Sequence, residues 1–313
     1  MKNIYQKQIK TVFLVLSILI IPSLLTAYSL STARITESNN LEEKRLRNLD
    51  IDPTTGYTER KSEFLTDSSN NDGFYAQTSR VYLNQEVNLE VFQSVFDKIE
   101  SRRDTSDFQM NALLRMMYID KENDAIEPQL KKNITDAILD FKYWFTEPGE
   151  DNMIMWTENH MILFHTAELL AGQLFPNDNF TNSGMTGTEH INHATPLVKR
   201  WLEWKFRFGF SEWHSNTYMD EDLMALLNLV DFAEDNEIAT KAAMLTDIIA
   251  FDFSNNFYKG RYATTHGRAY DSKKIGTSSN DPPSRDSIAE AAWIMLGLGH
   301  HEESAGNSAS GVF

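Results

Sequence analysis

The chain has 313 residues, with 41% hydrophobic and 24% charged residues, which is enough apolar material for one large globular core or two small ones. Its formal net charge is −16 and it has no dense Lys/Arg cluster, so a nucleic-acid partner is not expected. It has no cysteine, which rules out thiol catalysis and disulfide stabilisation.

The first element in chain order is a targeting segment. Lys2, Lys7 and Lys10 precede an apolar run from Val12 to Leu25 that contains Pro22, and small residues follow at Ala27, Ser29 and Ala33. That order is the pattern of a secretory signal peptide over residues 1–29, and residues 11–30 are also long enough to act as a membrane anchor. Either way the rest of the chain is expected to be secreted or extracytoplasmic, touching a membrane only through its N-terminal segment. A disulfide-free exported chain of this length fits a bacterial surface or periplasm. Sequons at Asn133 and Asn179 matter only in a glycosylating host.

Residues 30–82 are polar and weakly periodic and include the loop-forming "TDSSNNDG". They are expected to be an extended lead-in with one short helix at Leu41–Leu49. From 83 to 299 the spacing predicts eight helices. Leu89, Phe92, Phe96 and Ile99 mark the first, and Phe108, Leu113, Met116 and Met117 the second. Leu130 to Phe145 forms the third, closed by "EPGE", and a fourth begins at Thr157 and carries Ile162, Leu163, Leu169 and Leu170. "ATPLVKRWLEWKFRFGF" predicts a fifth with Pro196 in its first turn. "DEDLMALLNLVDFAED" is the sixth, and the seventh follows an Asn236 N-cap. "SRDSIAEAAWIMLGLG" is the eighth, capped by Ser284 or Asp286 and stopped by glycines. "GRYATTHGRAY" is the one candidate strand pair, and residues 300–313 lose all pattern and are expected to be a disordered tail. The expected class is all-α, built of antiparallel helical hairpins.

Three stretches concentrate chemistry. "WTENH" sets Trp156, Glu158, Asn159 and His160 at a helix start, with Glu158 favourable against the helix dipole. His160 and His165 lie about 140° apart around a helix, so they cannot share a metal, and His165 could pair with Glu168 on the surface. The loop "SEWHSNTY" offers Glu212, Trp213, His214 and Tyr218, a mixture suited to stacking on a sugar ring and binding its hydroxyls. "THGRAYD" adds His266, Arg268, Tyr270 and Asp271. "TEHINH" presents His190 and His193 beside Glu189, but no third metal ligand is evident, and neither a metal nor another cofactor is called for. Met116, Met117, Trp201 and Trp204 read as core.

Helical hairpins in series with "WTENH", "SEWHSNTY" and "HGRAY" over about 150–275 resemble the (α/α) toroids of the six-hairpin glycosidase-like superfamily, which includes polysaccharide lyases and glycoside hydrolases. The resemblance implies a partial or complete toroid acting on a polysaccharide or oligosaccharide. It also implies that Asn159, His160 and Tyr218 match the elimination residues of the lyase-like members. In a lyase, Asn159 or Arg268 would neutralise a uronate carboxylate, and His160, His214 or Tyr218 would take the proton. In a hydrolase, Glu158 would pair with Glu212, Asp220 or Glu221. Trp156, Glu212, Trp213, Arg268 and Tyr270 would bind substrate. The acidic net charge disfavours an anionic polymer unless the cleft is locally basic. The alternatives from another class are a non-catalytic surface protein binding a glycan or a partner through the same loops, or an inactive truncated fragment.

Overall fold

The computed structural model describes residues 56–258, 260–274 and 286–301. The expected signal segment, the helix at Leu41–Leu49, the Ser284 cap and nearly all of the tail lie outside them. No described helix is long and apolar enough to cross a membrane.

The described chain is all-α apart from one minimal hairpin. Its helices are α1 Tyr57–Ser69, α2 Ala76–Tyr82, α3 Glu90–Glu100, α4 Ser106–Asn123, α5 Pro128–Asp140, α6 Glu158–Leu174, α7 Gly187–Phe208, α8 Met219–Phe232 and α9 Asn236–Asn256. The antiparallel strands β1 Phe257–Tyr258 and β2 Arg261–Tyr262 pair Phe257 with Tyr262 and Tyr258 with Arg261. Helices α10 Asp271–Lys274 and α11 Ala289–Leu296 follow.

Two kinds of helix alternate. The helices α3, α5, α7 and α9 each bury one stripe, such as Leu130, Ile134 and Ile138 on α5, and leave the opposite face to water. In contrast, α4, α6, α8 and α11 are buried around most of their circumference; on α6 only Met161 and Leu174 escape burial. Apolar residues at helical spacing predict one buried and one wet face on each of the eight expected helices, and these four lack the wet face. The buried ones pack in contact with several neighbours at once, α6 against α4, α7 and α8. Packing also runs in a closed circuit, from α1 to α2, α4, α6, α8, α9 and α11 and back to α1.

That last closure corrects the expected extended lead-in, because residues 57–82 are largely helical and belong to the core. Phe64 is fully buried against Trp293 and Ile294. Arg60 donates from Nε to the Ile294 carbonyl at 3.0 Å and from Nη2 to that of Met295 at 3.3 Å, satisfying carbonyls that the end of α11 leaves open. The buried face of α1 includes Arg60, Ser68 and Ser69, so hydropathy alone carries little periodic signal there.

Other boundaries shift for local reasons. Helix α5 stops at Asp140, where Phe141 turns extended (φ −68°, ψ 143°), so Phe145 is exposed rather than on a helical stripe. Helix α7 starts at Gly187, not near Pro196, because Thr186 and Glu189 form a reciprocal capping box. Pro196 therefore sits inside the helix, on its exposed side, where water can serve the carbonyl it leaves unpaired. A Cβ on Gly187 would lie 2.1 Å from the Phe175 carbonyl oxygen, so glycine lets the α6–α7 connection fold this tightly. Asp235, rather than Asn236, caps α9 by accepting from the Glu237 and Ile238 N–H groups. Gly297 ends α11 in the left-handed region, at φ 70°.

Candidate functional site

The first turns of three of the buried helices, α4, α6 and α8, meet. Asp107 of α4, Glu158–His160 of α6 and Asp220–Asp222 of α8 all stand at helix N-termini, where the dipole favours negative charge. Tyr75, at the start of α2, reaches the same region, with its hydroxyl 3.4 Å from Gln109 Nε2.

Glu158 is buried and its carboxylate is spent on the neighbouring loop. Oε2 accepts from Lys205 Nζ and from both the N–H and hydroxyl of Ser211, and Oε1 accepts the Glu212 N–H at 3.2 Å. It thus holds the α7–α8 loop in place. Thr157 occupies the N-cap position, but its hydroxyl donates to Asn159 Oδ1 at 2.6 Å, and the same oxygen accepts the His160 N–H at 2.7 Å. Asn159 is therefore oriented from both sides, and its Nδ2 lies 3.4 Å from Glu212 Oε2.

The loops at 211–218 and 265–271 are stitched together. Gly267 N–H donates to the Trp213 carbonyl at 2.7 Å, and a Cβ at Gly267 would come within 2.8 Å of Trp213 N. Ser215 Oγ donates to the Arg268 carbonyl at 2.8 Å. Arg268 then becomes the hub. It donates to Glu212 Oε1 at 2.6 Å and to the Tyr270 hydroxyl at 3.3 Å, and its guanidinium lies 3.9 Å from the Tyr218 ring centroid. The Tyr218 and Tyr270 hydroxyls hydrogen-bond each other. Burial and the bond to Tyr270 push the Tyr218 phenol up, whereas the bond from Tyr218 and the Arg268 guanidinium draw the Tyr270 phenol below its usual value. Asn159, Glu212, Arg268, Tyr218 and Tyr270 thus form one connected cluster.

The remaining expected residues stand around it. His160 turns inward: Nδ1 is 2.7 Å from Asp107 Oδ2 and its ring stacks on Phe108. His214, in the left-handed region at φ 46°, stacks on Trp213 and faces Thr264 and Asp252, with Nε2 3.5 Å from Asp252 Oδ2. Burial lowers its pKa, opposed by Asp252. Trp156 is 74% exposed and Trp213 49%. Beside the cluster lies a pocket of about 580 Å³, lined by Arg261, His266, Lys273, Lys274 and Asp286 among others.

Asp107, Asp222, Tyr75 and Gln109 were not among the expected site residues. Burial raises the pKa of Asp107, and burial with neighbouring carboxylates raises those of Glu221 and Asp222 well above the usual range. The available signal was an acidic residue in the first turn of each buried helix. Asp286, read as a cap, instead accepts from Asn216 Nδ2 at 2.8 Å and the Tyr262 N–H at 2.9 Å. His165 and Glu168 are both buried rather than paired on the surface. Glu168 instead takes His190 and His193, while Glu189 serves the α7 cap.

Compared with protein-family models, curated proteins and solved structures, the chain matches none.

Proposed function

We propose that this is an exported carbohydrate-active protein of (α/α) toroid architecture that cleaves a uronate-containing polysaccharide by β-elimination. The observation that carries the reading is the Arg268–Tyr218–Tyr270 contact set: a guanidinium touching two mutually hydrogen-bonded phenols, one of them with a lowered pKa. Arg268 holds the uronate carboxylate, with the buried Asn159 bracing Glu212 behind it, and this stabilises the carbanion that develops next to the carboxylate. Tyr270, as phenolate, takes the C5 proton. The C4–O bond then breaks, its electrons leave with the glycosidic oxygen, a C4=C5 double bond forms, and Tyr218 donates its proton to the departing oxygen. Glu212 positions Arg268, and the exposed Trp156 and Trp213 offer faces for sugar stacking.

The closed packing circuit supports the toroid reading. In the neighbouring pocket Arg261, Lys273 and Lys274 outnumber Asp286, which is compatible with an anionic polymer despite the net charge of −16. Hydrolysis is less well supported, because Glu158 is committed to Lys205, Ser211 and Glu212, and Glu212 is ion-paired to Arg268.

The test is incubation with a panel of uronate polymers, following unsaturated product by ultraviolet absorbance. Tyr270→Phe is expected to lower the rate by about 100-fold or more, the scale of a lost acid–base group. Absence of unsaturated product on every polymer refutes elimination. New reducing ends without that absorbance indicate hydrolysis, and saturable glycan binding without cleavage indicates a binding protein.

A further inference from the structure

About two and a half turns along α6 from Asn159 lies a second cluster that the proposed elimination does not use. Glu168 of α6 and His190 of α7 are both fully buried, and Glu147 enters from the segment after α5. One oxygen of each carboxylate and one ring nitrogen of His190 lie within 4.8 Å of one another. His190 Nδ1 is 2.9 Å from Glu168 Oε1, and His193 Nδ1 is 2.8 Å from the same oxygen.

An outer layer fixes each of these groups. Asn182 Nδ2 donates to Glu147 Oε2 at 2.9 Å, and Asn182 Oδ1 is itself held by Arg102 Nη2 at 2.6 Å. The Tyr143 N–H donates to Glu147 Oε1 at 3.2 Å. Ser183 Oγ sits 2.8 Å from His190 Nε2 and also accepts the Met185 N–H, so its other lone pair can take a proton from Nε2. That tautomer leaves the Nδ1 lone pair aimed at the two carboxylates. A metal-bound histidine has this arrangement, its second nitrogen donating to an outer partner.

We propose that Glu147, Glu168 and His190 bind a divalent transition-metal ion of the Zn2+ class, His190 through Nδ1. Two carboxylates neutralise the charge of such an ion. A mixed nitrogen and oxygen donor set favours Zn2+ over Mg2+ or Ca2+, which prefer shells of six or more oxygens. His193, 38% exposed at its side chain, borders the side from which a water or a fourth donor completes the shell. The ion would tie the segment after α5 to the α6–α7 hairpin, a structural role independent of the proposed elimination.

The experiment is titration of chelator-treated full chain with Zn2+ alone and, separately, with Mg2+, followed by calorimetry. One Zn2+ per chain is expected, with no comparable Mg2+ binding. Glu147→Gln and Glu168→Gln are expected to weaken Zn2+ binding at least tenfold, and Glu189→Gln, at the exposed helix cap, to leave it unchanged. Co2+ should give a visible absorption spectrum of low-coordinate nitrogen and oxygen ligation. Lack of stoichiometric Zn2+ binding overturns the proposal, as does equal affinity in a folded Glu147→Gln. If the Gln variants do not fold, a Co2+ spectrum of the hexa-aquo ion with wild-type protein overturns it.

Discussion

Replacing Glu158 by Gln tests whether this carboxylate organises the site or reacts in it. The side chain is 1% exposed, and its partner Lys205 is 12% exposed. Four donors converge on the two oxygens: Lys205 Nζ, Ser211 N–H, Ser211 Oγ and the Glu212 N–H. An amide keeps the shape but offers one acceptor oxygen, so at least one donor faces an NH2 group, and Lys205 loses its counter-charge. Removing one partner of a buried pair costs about 3–5 kcal/mol, and charge-assisted hydrogen bonds are worth about 1.5–3 kcal/mol each. Since Lys205 keeps some solvent and the Gln oxygen keeps part of the network, the expected loss is about 3 kcal/mol. For a chain of 313 residues that corresponds to a Tm drop of roughly 4–6 °C. Urea denaturation of wild type, Glu158→Gln, Lys205→Met and the double variant measures it, and the cycle isolates the pair. If Glu158→Gln loses less than about 0.5 kcal/mol, a scale typical of surface changes, the positioning argument is refuted. A large loss of activity at unchanged stability would instead make Glu158 a reacting group.

Three further outcomes are expected. Phe64→Ala should cost about 3–5 kcal/mol, read from the denaturation midpoint, because the ring is fully buried between α1 and α11; a neutral result would remove residues 57–69 from the core. Burial lowers the His165 pKa to about 4, with His193 adding to the shift and Glu168 opposing it, so the folded state binds its proton later than the unfolded state. Stability is therefore full above about pH 6.5 and falls as pH drops toward 4, by about 3 kcal/mol, and His165→Leu should flatten that slope in pH-dependent urea melts. His301 behaves in the opposite sense. Burial would depress its pKa, but hydrogen bonds to Glu290 and Asp67 outweigh it and raise the value. Its contribution is complete below about pH 6.5 and is lost as pH rises through the raised value, so the stability gap between wild type and His301→Gln should shrink from pH 6 to pH 9.

Much of the secondary structure can be read from residue spacing. The stripes Phe92–Ile99 and Leu130–Ile138 lie on helices with one wet face, where burial and periodicity carry the same information. Tokens at 156–160, 211–218 and 265–271 were also conspicuous in sequence, because polar and aromatic residues rarely crowd loops without a local reason.

What sequence by itself determined, then, is an acidic, cysteine-free, helical chain with its polar-aromatic loops in three places. Only tertiary structure decided which residues of those loops meet. Asn159, Glu212, Arg268, Tyr218 and Tyr270 are joined through hydrogen bonds spanning more than fifty residues, and His160 turns instead to Asp107. It also decided that α6 is buried on nearly all sides and that α1 closes onto α11. The reason is physical. Periodicity records which face of a helix meets water, but a helix enclosed by neighbours has no such face, and an ionisable residue is tolerated there when a partner far along the chain arrives to meet it, as Lys205 meets Glu158, or when burial favours its neutral form, as at Asp222.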